Sequence, residues 1–322
     1  MKNMKRQRGA ASAPQMNPAA FFLCIGIVFA SVWAPLVARA YPPTDDPVLE
    51  RMRPLATNVV TYVAGQDLIR PPDVPIVPID MPQPTSPPPI MPDDRVGVLV
   101  PKGVYRVSFT QARDVNLFGE TGNPADVELW SDEKGAGGTM HALGPLYVEG
   151  VTLRSESGAD GTGPKYPLHL TFVHRFFRLA RSTIFANCRF VSNSSLVGIP
   201  YNVMGMDGYQ GTYTLFYKCE LVGNGTNMHG WEGNQVPLTL AYVKCKSNTD
   251  LLFAASGAPA ADKIYVIDCE FPSVKVHGKN ATLYISEGSK IGSIIADNVV
   301  TNSAWPMPIR GLGPEDYARL KP

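Results

Sequence analysis

From Val96 onward, short apolar runs alternate with turns along the chain. The runs are rich in Val, Ile, Phe, Tyr and Thr, and Gly, Asn and Ser separate them. No long helical period appears, so this region is predicted to form many short β-strands. Hairpins are not indicated, because no Asn-Gly or Asp-Gly turn joins closely matched strands.

Five segments of this region share a pattern in which an aromatic or apolar residue is followed three positions later by Cys or Gly. They are YVEGVTLRS (147–155), FANCRFVSN (185–193), FYKCELVGN (216–224), YVKCKSN (242–248) and VIDCEFPS (266–273). The four cysteines are 31, 26 and 24 residues apart, and Gly150 takes the cysteine position 38 residues earlier. Repeats of this length bury their apolar side only by stacking. The predicted fold is an all-β, right-handed parallel β-helix over residues 96–322, with a C-terminal cap at about 303–322.

The cysteines Cys188, Cys219, Cys245 and Cys269 allow three interpretations. A metal site is weakly indicated, because no Cys-x-x-Cys pair exists. A disulfide between adjacent turns is allowed by the Cα spacing, but in-register parallel strands hold the Cβ atoms slightly too far apart. We favour a buried stack of free thiols that fills one ladder.

The first forty residues have the pattern of an export signal. A basic start precedes an apolar stretch at residues 19–37, which is followed by an A-x-A sequence at 38–40. This predicts a signal peptide cleaved after Ala40 and a secreted, periplasmic or cell-surface protein. A transmembrane anchor is the alternative, which the helix-breaking Pro35 disfavours.

Residues 41–95 hold 14 of the 30 prolines of the chain. Proline removes backbone donors, so this region is predicted to be an extended Pro-rich arm or linker. A short helix is expected between Pro47 and Ala64. We favour a tether, which lies over the domain or holds it off a surface, over a docking ligand for a partner.

Composition and charge narrow the classes of function. Hydrophobic residues make up 44% of the chain and charged residues 18%, which is enough for a sizeable core. A formal net charge of +1 gives no whole-chain attraction to nucleic acid. These values argue against a coiled coil, a multi-span membrane protein and a histone-like binder.

Residues 96–130 read VGVLVPKGVYRVSFTQARDVNLFGETGNPADVELW. They resemble the opening of pectin-lyase-like β-helix proteins, especially pectinesterases. Residues 144–158, 183–190 and 214–221 resemble later turns, which also occur in β-helical tail-associated proteins of phages and prophages. The resemblance covers roughly 96–300 and implies the β-helix fold and an association with polysaccharide. The catalytic motifs of pectinesterases are not found: the expected Gln is missing at 166–170, and Gly211 replaces the Asp of a Gly-Tyr-Gln-Asp motif.

Candidate chemistry lies in the loops between predicted turns. The glycine-rich loop 223–235 contains His229, Trp231 and Glu232, and the long loop before it contains Asp207 and Tyr209. Trp and Tyr stack on sugar rings, and Asp207, Glu232 and His229 are candidate catalytic groups for proton transfer. The structural alternative is a surface turn whose Trp caps the core.

A basic cluster follows the apolar strand at 167–172. It consists of His174, Arg175, Arg178, Arg181 and Arg189, and its arginines offer bidentate forks for the carboxylates of an acidic glycan. The structural alternative is a solvated turn whose neighbouring aromatic residues pack inward.

We predict a secreted or surface-associated β-helix protein that binds polysaccharide or a cell-surface glycan, as an adhesin or a tail-spike-like component. The alternative is a polysaccharide lyase, hydrolase or carbohydrate esterase of the same fold, and a purely structural β-helix is a third hypothesis. No cofactor or metal is expected, apart from Ca²⁺ if the protein is a lyase. Nucleic acid is not an expected partner, no membrane span remains after signal cleavage, and the tail-spike resemblance allows a homotrimer.

Overall fold

The computed structural model describes the following residues: 41–42, 44–54, 58–61, 96–107, 115–131, 138–142, 146–155, 166–170, 182–192, 197–198, 212–223, 227–229, 238–254, 261–278 and 280–302. The chain divides into two units, residues 1–40 and 41–322, and every described residue belongs to the second. The predicted signal peptide, much of the Pro-rich arm and the predicted cap lie outside these ranges. No helix among the described residues is long and apolar enough to cross a membrane.

Short strands dominate the described ranges, and helix α1 (Pro47–Met52) precedes them. The strands are β1 Asn58–Thr61, β2 Val96–Val100, β3 Gly103–Arg106, β4 Val115–Gly119, β5 Val127–Ser131, β6 Gly138–Ala142, β7 Leu146–Glu149, β8 Thr152–Ser155, β9 Tyr166–Leu170, β10 Ser182–Ala186, β11 Arg189–Ser192, β12 Val197–Gly198, β13 Thr212–Tyr217, β14 Glu220–Gly223, β15 Asn227–His229, β16 Leu238–Val243, β17 Lys246–Ser247, β18 Leu251–Ala254, β19 Asp262–Ile267, β20 Glu270–His277, β21 Ala281–Ile285, β22 Lys290–Ile295 and β23 Val299–Thr301.

The strands stack in parallel, and each pairs with its counterparts in the neighbouring turns of the chain. Sheet A has the order β1-β2-β4-β7-β10-β13-β16-β19-β21-β23. The second sheet folds into two faces: one contains β3, β5, β8, β11, β14, β17 and β22, and the other contains β6, β9, β12, β15 and β18. The long strand β20 pairs with both groups. The predicted all-β, right-handed parallel β-helix is confirmed.

The interior is filled by in-register rows of apolar side chains, because alternate residues of a strand point to the same face. In sheet A, Phe185, Phe216 and Tyr242 occupy one such row and are fully buried. The ring centroids of Phe185 and Phe216 are 5.2 Å apart, and those of Phe216 and Tyr242 are 4.6 Å apart. These rings are the aromatic positions of three predicted repeat segments, so their predicted register is confirmed.

The first predicted segment is wrong by one residue. Val148 pairs with Phe185 and Thr152 pairs with Arg189, so the position of Cys188 is taken by Val151 and not by Gly150. Gly150 instead matches the residue before the cysteine. That residue turns the corner between sheet A and the next strand with a left-handed backbone, and the φ values are +68° at Gly150, +49° at Asn187, +52° at Lys218, +55° at Lys244 and +51° at Asp268.

The predicted thiol stack is confirmed, although its members lie at the corners between strands. All four cysteines are free and buried. The backbone N–H of Cys219 donates to Sγ of Cys245, and that of Cys245 donates to Sγ of Cys269, both at 3.4 Å. Ser289 extends the stack, since its Oγ accepts the N–H of Cys269 at 3.2 Å. Burial raises the pKa of Cys219, Cys245 and Cys269 well above the usual value, which disfavours reactive thiolates.

The start of the predicted arm is folded onto the β-helix. Residues 41–54, here called the cover segment, lie on the outer face of sheet A, and β1 pairs with β2. Asp46 caps α1 by accepting the N–H groups of Val48 and Leu49 at 2.9 and 3.3 Å. Val48, Leu49 and Met52 are buried against a second apolar cluster. Its sheet A members are Phe118, Tyr147, Ile184, Ala186, Leu215, Tyr217, Ala241, Val243 and Ile267.

The short helix expected between Pro47 and Ala64 is α1, Pro47–Met52, and the cover segment lies over the domain, as the tether interpretation allows. The bounds 41–95 and 96–322 stay predictions. Proline did not prevent folding here because Pro47 occupies the first turn of α1, where its missing N–H costs nothing. Pro54 then disfavours helical backbone at Arg53, and the helix ends at Met52. Residues 62–95 lie outside the described ranges.

Polar contacts hold the cover segment at two points. Glu149 accepts hydrogen bonds from Arg53 Nε at 2.8 Å and from the Tyr147 hydroxyl at 2.7 Å, in a nearly fully buried site. Asp46 accepts from the Tyr217 hydroxyl at 2.8 Å and pairs with Lys218. Burial raises the pKa of Asp46, but the hydrogen bonds from Lys218 and Tyr217 outweigh it and keep that pKa below its usual value. The cover segment therefore covers the outer face of sheet A where Phe118, Tyr147 and Leu215 lie.

Candidate functional site

Nearly all of the predicted site residues lie outside the described ranges. These are Asp207, Tyr209, Trp231, Glu232, Arg175, Arg178 and Arg181. His229 ends strand β15, where its backbone pairs with that of Phe253 in β18. The roles assigned to these residues stay predictions.

The strands that flank the predicted site loops are neighbours. Residues 171–181, 199–211 and 230–237 follow β9, β12 and β15, which pair in that order. They precede β10, β13 and β16, which also pair in that order. The strands on either side of these three ranges therefore belong to successive turns of the β-helix, and a shared groove stays a prediction.

The described residues present a second candidate, here called the open face. It is the outer surface of β3, β5, β8, β11, β14 and β17 and of the first residues of β20 and β22, on the far side of the corner from the cover segment. Because the strands are in register, its outward side chains form rows along the β-helix axis. The first row contains Glu128, Arg189, Glu220, Lys246, Glu270 and Lys290, and the buried Thr152 interrupts it between Glu128 and Arg189. The second row begins with Arg106, Trp130, Arg154, Val191 and Val222.

The second row holds a partly exposed aromatic ring beside a fixed cation. The Arg154 guanidinium lies 5.2 Å from the ring centroid of Trp130. Glu128 in the first row holds Arg154 in place, with Nε and Nη2 of the arginine both 2.8 Å from Oε1 of the carboxylate. A cation over an aromatic face and an ion pair restrain each other. The arrangement orients polar groups around an indole edge that solvent can reach.

The first row carries charges of alternating sign. Glu220 pairs with Arg189 on one side and with Lys246 on the other, each at 3.1 Å. All three side chains are partly exposed, so the ion pairs contribute little to stability. These side chains form a strip of hydrogen-bond donors and acceptors, which follow one another at the strand spacing of about 4.8 Å along the axis.

The carboxylates of the open face stand on strands that are two or three strand spacings apart. Glu128 and Glu220 lie three strands apart, about 14 Å, and Glu220 and Glu270 lie two strands apart, about 9.6 Å. Glycosidases place their two carboxylates roughly 5–9.5 Å apart, and Lys246 intervenes between the closer pair. The candidate catalytic groups Asp207 and Glu232 lie outside the described ranges. Among the described residues, no three His, Cys, Asp or Glu side chains converge as a metal site would require.

Sequence reasoning missed Trp130, Arg154 and Glu128, although one signal was present. In VELWS (127–131) the apolar residues alternate with Glu128 and Trp130, which predicts that these two point outward together. The contact with Arg154, 24 residues later, depends on the register between turns, and the sequence does not state that register.

No protein-family model matches this chain, and no curated protein matches it. Two solved structures are similar. A pectin methylesterase variant in complex with a hexasaccharide is 11% identical, with a TM-score of 0.36, over 69% of this chain and 86% of its own. The pectin methylesterase PemA from Erwinia chrysanthemi is 12% identical, with a TM-score of 0.35, over 68% of this chain and 86% of its own. The β-helix itself is established by the strand pairing described above.

Proposed function

We propose that this protein is an exported β-helix that binds polysaccharide, as an adhesin or tail-spike-like component, and that the open face is a contact surface. The observation that carries the proposal is the Trp130–Arg154–Glu128 arrangement, a restrained aromatic edge within rows of donors and acceptors. Carbohydrates present apolar ring faces and many hydroxyls, and aromatic groups flanked by polar side chains suit both. The predicted loop residues Tyr209, Trp231 and the Arg175–Arg178–Arg181 cluster would add to the same function.

The test uses residues 41–322 and a panel of neutral, acidic and basic polysaccharides, with binding followed by affinity electrophoresis and calorimetry. Trp130→Ala and Arg154→Ala are expected to weaken binding about three- to tenfold. Lys275→Ala is the matched control, because Lys275 pairs with Asp250 at 2.7 Å with similar exposure but lies on another face. Equal weakening by the control would reject the open face as the binding surface.

A parallel assay follows reducing ends, unsaturated products and released ester groups. Turnover that Asp207→Asn or Glu232→Gln abolishes would replace the binding proposal with the enzyme hypothesis. Saturable binding without turnover supports a binding protein.

A further inference from the structure

The open face contains a depression toward its C-terminal end. It is shallow and wide open to solvent, and its volume is about 440 Å³. The residues that line it are Ser247, Glu270, Phe271, Pro272, Lys290, Ile291 and Gly292.

The depression exists because two neighbouring strands lack outward side chains there. Pro272 of β20 presents only its ring, and Gly292 of β22 presents only backbone. A Cβ at Gly292 would lie 2.5 Å from the carbonyl oxygen of Pro272, so the approach of the two strands requires glycine. The floor is therefore flat and uncharged.

Two opposite charges border this floor and form no ion pair with each other. Glu270 and Lys290 are paired in register on adjacent strands, and both are exposed. Neither forms a side-chain hydrogen bond or an ion pair in the described part of the chain, whereas Arg189, Glu220 and Lys246 of the same row are all bridged. Their hydrogen-bonding groups are available to a ligand.

We infer that this depression is a subsite for a neutral sugar unit of a glycan, an inference that rests on the proposed function. A hydroxyl can donate to the Glu270 carboxylate while another oxygen accepts from the Lys290 ammonium. The flat ring of Pro272 and the Gly292 backbone leave room for a sugar face. An anionic sugar would be attracted by Lys290 but repelled by Glu270, and a cationic sugar would meet the reverse, so the paired charges select a neutral unit.

The test uses residues 41–322 with three probes: soluble neutral β-glucan oligosaccharides, alginate oligosaccharides and chitosan oligosaccharides. Glu270→Gln and Lys290→Met are each expected to weaken β-glucan binding about tenfold, the loss expected for a charged hydrogen bond. Glu287→Gln and Lys263→Met are the matched controls. Both residues are exposed, and they lie away from the depression: Glu287 in the β21–β22 turn and Lys263 on sheet A. Unfolding midpoints verify that every variant is folded.

The outcomes separate this inference from the proposed function. Selective loss of β-glucan binding in Glu270→Gln and Lys290→Met supports the subsite. Glycan binding that depends on Trp130 but not on Glu270 or Lys290 overturns the subsite and leaves the proposed function intact. Alginate binding that Glu270→Gln strengthens and Lys290→Met abolishes overturns the neutral class. Binding of no probe and no member of the larger panel rejects both.

Discussion

A single backbone conformation recurs at the corner between sheet A and the open face. Five successive turns place a left-handed residue there, and four of these residues are not glycine. Lys218 and Lys244 each cost about 1–2 kcal/mol there relative to a relaxed backbone, whereas Gly, Asn and Asp adopt this conformation more readily, so packing of the neighbouring strands holds the corner. The ease with which a residue adopts this backbone conformation therefore affects local stability more than the chemistry of its side chain does.

Exchanging residue types along this row should change stability in opposite directions. Gly150→Ala should lower the free energy of unfolding by about 2–4 kcal/mol, because φ is +68° and the new Cβ would lie 2.8 Å from the backbone of Gly122. Lys244→Gly should raise it by up to about 1 kcal/mol, since φ is +55° and Lys244 is exposed. Urea unfolding of both variants measures the difference. A neutral Gly150→Ala variant would contradict this account.

The same row explains how far single residues could be predicted. The spacing of Cys188, Cys219, Cys245 and Cys269 correctly predicts the register of four turns, because each cysteine occupies the same buried position of its turn. The first turn has no cysteine, and Gly150 was matched to the wrong position. Glycine fits the left-handed corner, so backbone conformation and not side-chain type was the correct guide there.

At the scale of elements, the high proline content of the cover segment predicts extended backbone, although the same residues carry local helix signals. Its prolines predict an extended arm, yet Asp46 at the N-cap, Pro47 in the first turn and the apolar residues Val48, Leu49 and Met52 are helix signals. What the sequence lacks is the identity of the partner surface. Phe118, Tyr147 and Leu215 come from three separate turns of the β-helix and meet only when those turns stack.

Detachment of the cover segment should follow the loss of its buried ion pair. Arg53→Met leaves Glu149 buried and without its cation, which costs about 3–5 kcal/mol when a buried pair is broken on one side. We expect faster amide hydrogen exchange in residues 44–54, while the strands of sheet A away from the segment stay protected.

The control for this experiment is Lys102→Met, which removes an exposed ion pair with Asp126. It should leave exchange in residues 44–54 unchanged. Uniformly faster exchange across sheet A in Arg53→Met would mean that the cover segment and the β-helix unfold as one unit, against the expectation of local release.

At the scale of the whole molecule, the sequence predicts the architecture but not the candidate site on the open face. Strand length, turn composition and a period of 24–38 residues are properties of the chain, and they predict a stacked solenoid. The open face is a property of register: Glu128, Arg154 and Arg189 are far apart in sequence and become neighbours through the stacking of three turns. The predicted loop residues Asp207 and Glu232 remain predictions, and so does a shared groove between their loops.

The C-terminal end of the stack yields the last prediction. Within the described residues, the exposed large apolar side chains are Val104 at the first turns and Ile294, Ile295, Val299 and Val300 on the last two strands. Ile294 and Val299 continue interior rows, since they pair with the buried residues Val274 and Leu283. A solenoid core that ends in this way needs a cap, and the predicted cap is residues 303–322.

Removal of residues 303–322 should therefore expose these rows fully and drive self-association through the open strand edges of β22 and β23. We expect the chain 41–302 to bind a hydrophobic dye and to form oligomers at micromolar concentration in size-exclusion chromatography with light scattering. Introducing Ile294→Lys and Val300→Lys into that chain should restore the state of the chain 41–322, because charges at a strand edge oppose pairing. If the chain 41–302 keeps the oligomeric state and dye binding of the longer chain, residues 303–322 are not the cap.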